Sequence, residues 1–130
     1  MASDIRVGII GAGANTIAKH IPFLQAIDGV EIIGVVNRSK ESSTNVAQRY
    51  GIPKTYDQWE HAIDDTETNA ILIGTWPYLH CPVTLAAIDA GKHVLTEARM
   101  AMNADEALKM FNAHQANPEL VAQIVPSPIT

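Results

Sequence analysis

Two glycines near the start of the chain have the spacing of a turn that holds a phosphate group. Ile9 to Thr16 read IIGAGANT, so Gly11 and Gly13 follow an apolar run. In a dinucleotide-binding turn the first glycine allows the tight turn, the second admits the pyrophosphate, and the next helix offers free amides. Thr16 stands where a third glycine is usual, and a modest opening of the helix would accommodate it. The stretch predicts a cofactor site, with an ordinary strand-to-helix turn as the alternative.

The residues after the second apolar run indicate which cofactor would fit. An acid at this place would pair with the ribose 2′-hydroxyl of NAD and repel the extra phosphate of NADP. The chain instead reads Asn37, Arg38, Ser39 and Lys40, with two cations and no acid. Arg38 can stack on adenine and contact the 2′-phosphate, and Ser39 can donate a hydrogen bond. We therefore expect NADP to be favoured over NAD, although a solvated turn would have the same sequence. S-adenosylmethionine is disfavoured, because its sites generally need an acid here.

Two later segments place further candidate residues after apolar runs. The third run leads into GTWPYLH, where Trp76 and Tyr78 could cover a cofactor face. His80 could donate to a ribose or substrate hydroxyl, or be a structural histidine at the start of a helix. The fourth run ends in TEARMA, where Glu97 emerges and Arg99 could be its partner. Because parallel strands present their carboxyl ends at one edge, where such sheets bind their ligands, these residues would emerge at the ligand-binding edge.

Composition excludes several functional classes. The chain has 130 residues, 47% of them hydrophobic and 18% charged, with a net charge of -5. These totals are typical of a globular domain and give no basic face for nucleic acid or an anionic membrane. Cys81 is the only cysteine, which excludes an internal disulfide and fits a reducing cytoplasm. No histidine spacing suggests a metal, and the N-terminal apolar run is too short for a signal peptide or membrane span. We expect a cytoplasmic protein.

Short β-branched runs alternate with longer amphipathic segments along the chain. The runs are continuously apolar, as in parallel strands covered on both faces. The predicted strands are Arg6–Ile10, Val30–Val36, Ala70–Gly74, His93–Thr96 and Leu120–Val125. The predicted helices are Asn15–Ile27, Lys40–Tyr50, Gln58–Ile63, Tyr78–Ala90 and Ala104–Asn117. This alternation predicts an α/β fold with an open, doubly wound, mostly parallel sheet and helices on both faces.

Punctuation residues support the helix ends, and the last residues suggest an incomplete protein. Gly91 follows the fourth helix as a left-handed closing residue, and Asn103 followed by acids begins the fifth. Residues 1–130 are expected to form one dinucleotide-binding domain. The chain stops at VPSPIT, directly after a predicted strand, without the helix or other element that would continue the alternation. We therefore expect a truncated chain from which a substrate domain is absent.

Taken together, these motifs resemble the N-terminal half of the Gfo/Idh/MocA oxidoreductases, a group that includes glucose-fructose oxidoreductase and inositol dehydrogenase. The glycine turn, a loop closed by histidine and GKHV leading into TE carry the resemblance, and Ala86–Glu97 is its most specific part. The resemblance implies hydride transfer between a nicotinamide cofactor and a sugar, polyol or related hydroxyl compound. It also implies a C-terminal domain that carries most of the substrate site and the contacts of a homo-oligomer.

The resemblance also implies a role for each matching position. The residues implied are Gly11, Gly13, Ala14, Asn15 and Thr16 for the pyrophosphate, Asn37, Arg38 and Ser39 for the adenosine ribose, Thr75, Trp76 and His80 for the cofactor groove, and Glu97 for the nicotinamide ribose. Where a Thr-Pro-Asn opening is common in the family, this chain has Trp76-Pro77. The cofactor groove thus departs from the family pattern at one of its walls.

A larger departure concerns the family's proton-transfer lysine. The family commonly reads Glu-Lys-Pro after the fourth run, and this chain has Ala98 and Arg99 in place of the lysine and proline. Alanine cannot move a proton, and arginine is a poor donor because its pKa is above about 12. Arg99 could bind an anionic substrate or polarise a carbonyl, and His80 or the absent domain could handle the proton. The alternative is a redox or metabolite sensor that binds the cofactor without catalysis.

Overall fold

The computed structural model describes residues 4–13, 19–75, 77–96 and 101–124. Strands and helices alternate through these ranges. The strands are β1 (Ile5–Ile10), β2 (Val30–Val36), β3 (Lys54–Thr55), β4 (Ala70–Ile73), β5 (His93–Thr96) and β6 (Ala122–Ile124). The helices are α1 (Ile21–Ala26), α2 (Lys40–Tyr50), α3 (Trp59–Asp64), α4 (His80–Asp89) and α5 (Ala104–Ala116), with a 3-10 turn at Pro77–Leu79 before α4.

The strands form one parallel sheet in the order β3-β2-β1-β4-β5-β6. The direction of winding reverses between β1 and β4, as in a doubly wound dinucleotide-binding fold. In the register, Ile10 lies beside both Val36 and Ile73, and Ile73 lies beside Thr96. The carboxyl ends of β2, β1, β4 and β5 are therefore level at one edge of the sheet. This arrangement confirms the predicted fold class.

Both faces of the sheet are covered by apolar side chains. Successive residues of a strand point to opposite faces, and Ile9 and Ile10 are 0% and 2% exposed. Ile9 belongs to a cluster with residues of α1 and α2, whereas Ile10 belongs to a cluster with residues of α3 and α4. The continuously apolar runs in the sequence are explained by this two-sided burial.

The sequence prediction missed β3, which contains two residues and no apolar run. Lys54 pairs with Gly34 and Thr55 with Val35. The next residue, Tyr56, lies against β2 so closely that a Cβ on Gly34 would stand 2.5 Å from the tyrosine ring. The strand thus depends on a tertiary contact rather than on a local pattern of its own residues.

Element boundaries were otherwise predicted closely. β2 and α2 have the predicted bounds, and the third predicted helix is shifted by one residue. The predicted fourth helix begins as the 3-10 turn, and the last strand is shorter than expected. In the first predicted helix, residues 15–18 lie outside the described part of the chain, as does Val125 of the last predicted strand.

The predicted helix punctuation is confirmed. Gly91 has φ +76° and donates its N–H to the carbonyl of Ile88 at 2.9 Å, which closes α4. The side chain of Asn103 accepts the N–H of Glu106 at 2.9 Å, and Glu106 Oε1 accepts the N–H of Met102 at 2.8 Å. The two side chains thereby satisfy one backbone donor in the first turn of α5 and one just before its cap.

A buried lysine connects two segments at the opposite, amino edge of the sheet. Lys92 is only 7% exposed. Its ammonium donates to the carbonyl of Asp65 at 2.6 Å, to the carbonyl of Thr68 at 3.0 Å and to Thr68 Oγ1 at 2.6 Å. Burial lowers the pKa of Lys92. The three donors of the ammonium thus have three acceptors, which is the condition for burying such a group without a large penalty.

Asp65 and Asn69 extend this amino-edge network. The carboxylate of Asp65 accepts from Lys54 Nζ at 3.0 Å, the hydroxyl of Tyr56 at 2.7 Å and the N–H of Glu67 at 2.9 Å. Burial opposes ionisation of Asp65, but these hydrogen bonds outweigh it and lower the pKa of the carboxyl. Asn69 Oδ1 accepts from the N–H of Arg6 at 2.7 Å, which ties the start of β4 to β1.

Candidate dinucleotide-binding site

The glycine turn lies at the carboxyl edge of β1, where open parallel sheets bind their ligands. The N–H of Gly11 donates to the carbonyl of Val36 at 2.8 Å, and the N–H of Gly74 donates to the carbonyl of Ile10 at 2.8 Å. Gly11 has φ +87°, and a Cβ there would lie 2.5 Å from Thr75 Cγ2 and 2.8 Å from Thr75 N. Gly11 is therefore required both by its backbone conformation and by the loop after β4.

Gly13 has different surroundings. It is exposed, and a Cβ built on it would meet no atom of the described residues within 4 Å. Nothing inside the described protein explains a glycine at this place. An open backbone at a strand's carboxyl edge fits the role predicted for the second glycine, which is to let a pyrophosphate come close. Ala14, Asn15 and Thr16 lie outside the described residues.

Asn37 makes contacts that sequence reasoning did not foresee. Its Oδ1 accepts the N–H of Ala12 in the glycine turn at 2.6 Å, and its Nδ2 donates to Ser42 Oγ in α2 at 2.9 Å. Its own N–H donates to Ser43 Oγ at 2.7 Å. The sequence predicted a ribose contact for Asn37. In the structure the side chain joins the glycine turn to α2. The only local sign of this role in the sequence is the pair of serines, Ser42 and Ser43, that follows Asn37.

The start of α2 presents the predicted adenosine-binding residues. Ser39 caps the helix, since its hydroxyl oxygen accepts the N–H of Ser42 at 3.1 Å. A hydroxyl that accepts in this way still has its own hydrogen to donate. Arg38 is exposed, and no carboxylate of the described residues forms an ion pair with it. A cation at this place is thus available for an anionic group.

His80 is 1% exposed, at the start of α4. Its Nε2 lies 2.9 Å from the carbonyl oxygen of Thr75. Because a carbonyl oxygen can only accept, Nε2 must carry the hydrogen in this contact. His80 therefore braces the loop whose Thr75 packs against Gly11, which is the structural role that sequence reasoning kept as the alternative. Its function as a proton-handling residue stays a prediction.

The remaining predicted site residues are Trp76, Glu97 and Arg99, and they lie outside the described part of the chain, as does Ala98. The strand that precedes Glu97 ends at Thr96, which is level with the end of β4. Across the described ranges, no cluster of three or more histidine, cysteine, aspartate or glutamate side chains could hold a metal ion. No helix within those same ranges is long and apolar enough to cross a membrane.

The chain matches a protein family model and several curated proteins. Residues 5–123 match the Gfo/Idh/MocA family model described as "Oxidoreductase family, NAD-binding Rossmann fold". The chain is 37% identical over 110 residues to 1,5-anhydro-D-fructose reductase of Ensifer adhaerens, covering 83% of this chain and 32% of that enzyme. It is 30% identical over 121 residues to inositol 2-dehydrogenase 3 of Saccharopolyspora erythraea, covering 92% of this chain and 35% of that enzyme.

A solved structure shows the same fold. Myo-inositol 2-dehydrogenase from Lactobacillus plantarum superposes with a TM-score of 0.84 at 23% identity, covering 95% of this chain and 36% of that one. The present chain spans about a third of the length of the curated relatives it matches. The match therefore concerns the nucleotide-binding part of those proteins.

Proposed function

Because the chain belongs to the Gfo/Idh/MocA oxidoreductase family, we propose that it is the NADP-preferring nucleotide-binding domain of an enzyme that oxidises or reduces a sugar, polyol or related hydroxyl compound. The bound nicotinamide ring would supply the hydride chemistry, while the chain's residues bind and orient the cofactor. The observation that carries the proposal is the level carboxyl edge, where the turn that contains Gly13 is hydrogen-bonded through Ala12 to Asn37, and Arg38, the next residue, is exposed and in no ion pair with a described residue.

The pyrophosphate end of the site is assigned to the glycine turn. Gly11 holds the turn against the loop after β4, and Gly13 leaves room for the phosphates. Ala14, Asn15 and Thr16 continue the turn in the sequence, and we assign the same phosphate-binding role to them. Backbone amides at this place would supply hydrogen bonds without requiring a positive side chain.

The adenosine end is assigned to the start of α2. Arg38 would bind the 2′-phosphate, and Ser39 would donate the hydroxyl hydrogen that its capping bond leaves unused. An acid that would bind the 2′-hydroxyl of NAD is absent at residues 37–40. This combination supports a preference for NADP over NAD.

The nicotinamide end is assigned to the residues after β4 and β5. Thr75, Trp76 and His80 would line the groove, with His80 acting at least as the brace of its loop. Glu97 would bind the nicotinamide ribose, and Arg99 would bind or polarise the substrate. The substrate class rests on the relatives, which include an anhydrofructose reductase and an inositol dehydrogenase.

A calorimetric titration with NADPH and NADH tests the proposal. We expect NADPH to bind at least about tenfold more tightly, since a charge-assisted contact is worth about 1.5–3 kcal/mol. Arg38→Asp should abolish that difference by replacing the cation with a repelling acid. Arg49→Asp makes the same charge change in the last turn of α2 and should leave the ratio unaltered. Failure of a folded sample to bind either cofactor would refute the site.

An activity assay on the same sample tests the second part of the proposal, which concerns the location of the substrate site. The chain should bind cofactor yet oxidise or reduce no member of a sugar and polyol panel, because the substrate wall is assigned to residues beyond this domain. Turnover by this chain alone would contradict that assignment and would place the substrate site within residues 1–130.

A further inference from the structure

The side chain of Asn37 bridges the two parts of the proposed cofactor site. On one side, Oδ1 holds the N–H of Ala12, which is 5% exposed and lies between the two glycines of the turn. On the other side, Nδ2 donates to Ser42 Oγ in the first turn of α2. One amide group therefore fixes the glycine turn relative to the helix that begins beside Arg38.

Backbone and hydroxyl contacts make the helix end of this bridge rigid. Ser43 is 1% exposed, and its hydroxyl accepts from the N–H of Asn37 at 2.7 Å while it donates to the carbonyl of Ser39 at 3.0 Å. The N–H of Ser42 is held by Ser39 Oγ. Residues 37–43 thus form a closed hydrogen-bonded unit that carries Arg38. The Asn37 amide links that unit to the turn.

We propose that Asn37 is a positioning residue, which holds the pyrophosphate turn in place through Ala12 and does not itself read the ribose. The inference rests on the proposed function, since it presumes that the turn and Arg38 hold the two ends of one cofactor. Both NADH and NADPH contain the pyrophosphate, but only NADPH carries the 2′-phosphate. Asn37 therefore governs the affinity for both cofactors, whereas Arg38 governs the ratio of the two affinities.

Cofactor titrations of Asn37→Ala, Ser42→Ala and Arg38→Ala separate these roles. Losing the Ala12 contact removes about one neutral hydrogen bond, so Asn37→Ala should bind NADPH and NADH each about five- to tenfold more weakly, with their ratio unchanged. Ser42→Ala removes only the hydrogen bond between Asn37 and α2, and it should weaken the binding of NADPH and of NADH by about threefold. Arg38→Ala should lower the ratio of NADPH affinity to NADH affinity. Asn45→Ala, an exposed asparagine of the same helix, is the matched control and should change neither.

Asn37→Asp tests whether the accepting oxygen is what matters. Aspartate keeps an oxygen for the Ala12 N–H, so the amide hydrogen of Ala12 should exchange within about threefold of its wild-type rate. Exchange without cofactor is the suitable readout, because an acid at this position would itself pair with the ribose 2′-hydroxyl of NADH and repel its pyrophosphate. Exchange of Ala12 as fast as in Asn37→Ala would overturn the inference.

Amide hydrogen exchange tests the bridge without cofactor. In Asn37→Ala the amide of Ala12 should exchange about tenfold faster, since its acceptor is gone, while the amide of Gly11 keeps its bond to Val36 and its rate. Unchanged Ala12 exchange, or a shifted NADPH to NADH ratio in Asn37→Ala, would overturn the inference. If the wild type binds neither cofactor, the proposed function fails and the cofactor-positioning role fails with it. The exchange rates would then decide only whether Asn37 holds Ala12.

Discussion

The two edges of the sheet use their polar groups differently. At the amino edge, the donors of Lys92 and the carboxylate of Asp65 are bonded to other groups of the chain. At the carboxyl edge, internal hydrogen bonds fix the turn, but Gly13 remains open and Arg38 exposed. A ligand-binding edge would have to keep some donors and space for the ligand, and the proposed site meets this condition at Gly13 and Arg38, whereas the amino-edge groups are bonded to one another.

The comparison predicts that damage at the amino edge lowers stability and leaves cofactor affinity intact. Lys92→Met keeps the apolar stem but removes the three hydrogen bonds that the ammonium donates to the carbonyl of Asp65 and to the carbonyl and hydroxyl of Thr68. The free energy of unfolding should fall by about 3 kcal/mol, measured by urea denaturation. Lys109→Met is the control, because Lys109 is 63% exposed in a surface ion pair and should matter by less than about 0.5 kcal/mol.

Two outcomes would remove the contrast between the edges. If the free energy of unfolding falls by less than about 1 kcal/mol in Lys92→Met, the desolvation penalty of the buried ammonium nearly equals the stabilisation from its hydrogen bonds. A large change in NADPH affinity of the folded variant would mean that the amino edge is coupled to the cofactor site.

Gly11→Ala and Gly13→Ala compare two glycines of one turn. In Gly11→Ala the positive φ and the approach of Thr75 should cost about 2 kcal/mol of stability and lower NADPH affinity. In Gly13→Ala the Cβ meets no atom of the described residues within 4 Å, so stability should stay within about 0.5 kcal/mol while NADPH binds about tenfold more weakly. Thermal unfolding and calorimetry measure the two effects. Equal loss of stability in both variants would contradict the assigned roles.

Most of the fold could be predicted because its signals are local. The bounds of α2 follow from a capping Ser39 and a closing Gly51 that stand on either side of it in the sequence. The buried strands were recognised by apolar runs that have no polar face. β3 was missed because its two residues join the sheet through the contact between Tyr56 and Gly34, which are 22 positions apart in the numbering.

Less of the candidate site could be predicted, because its contacts connect distant residues. The glycine turn was recognisable, since its spacing is local, and Gly11 and Gly13 lie where the pattern requires. The tie from Asn37 to Ala12 spans 25 positions, and the contact of Lys92 with Thr68 spans 24. Neither has a local pattern. A residue type shows which bonds are possible, but the packing of the elements decides which of them are made.

The acid dependence of stability provides the smallest effect that distinguishes the edges. The pKa of Asp65 is lowered in the folded state from its ordinary value of 3.8. The stabilisation that this provides is fully present above pH 3.8 and is lost as the pH falls below it, through the lowered pKa of the folded protein. Asp65→Asn should therefore cost about 1 kcal/mol near neutral pH and less as the solution becomes acidic.

Urea denaturation at a series of pH values measures this difference. The difference in the free energy of unfolding between the wild type and Asp65→Asn should decrease below pH 3.8. The control is Asp64→Asn, which changes an exposed neighbouring residue and should leave the free energy of unfolding unchanged at each pH. A gap that stays constant into acid would show that the oxygen geometry of Asp65, rather than its charge, holds Lys54 and Tyr56. The contacts of Asp65 at the amino edge would then be those of a neutral hydrogen-bonding group, and lowering the pH would not weaken them.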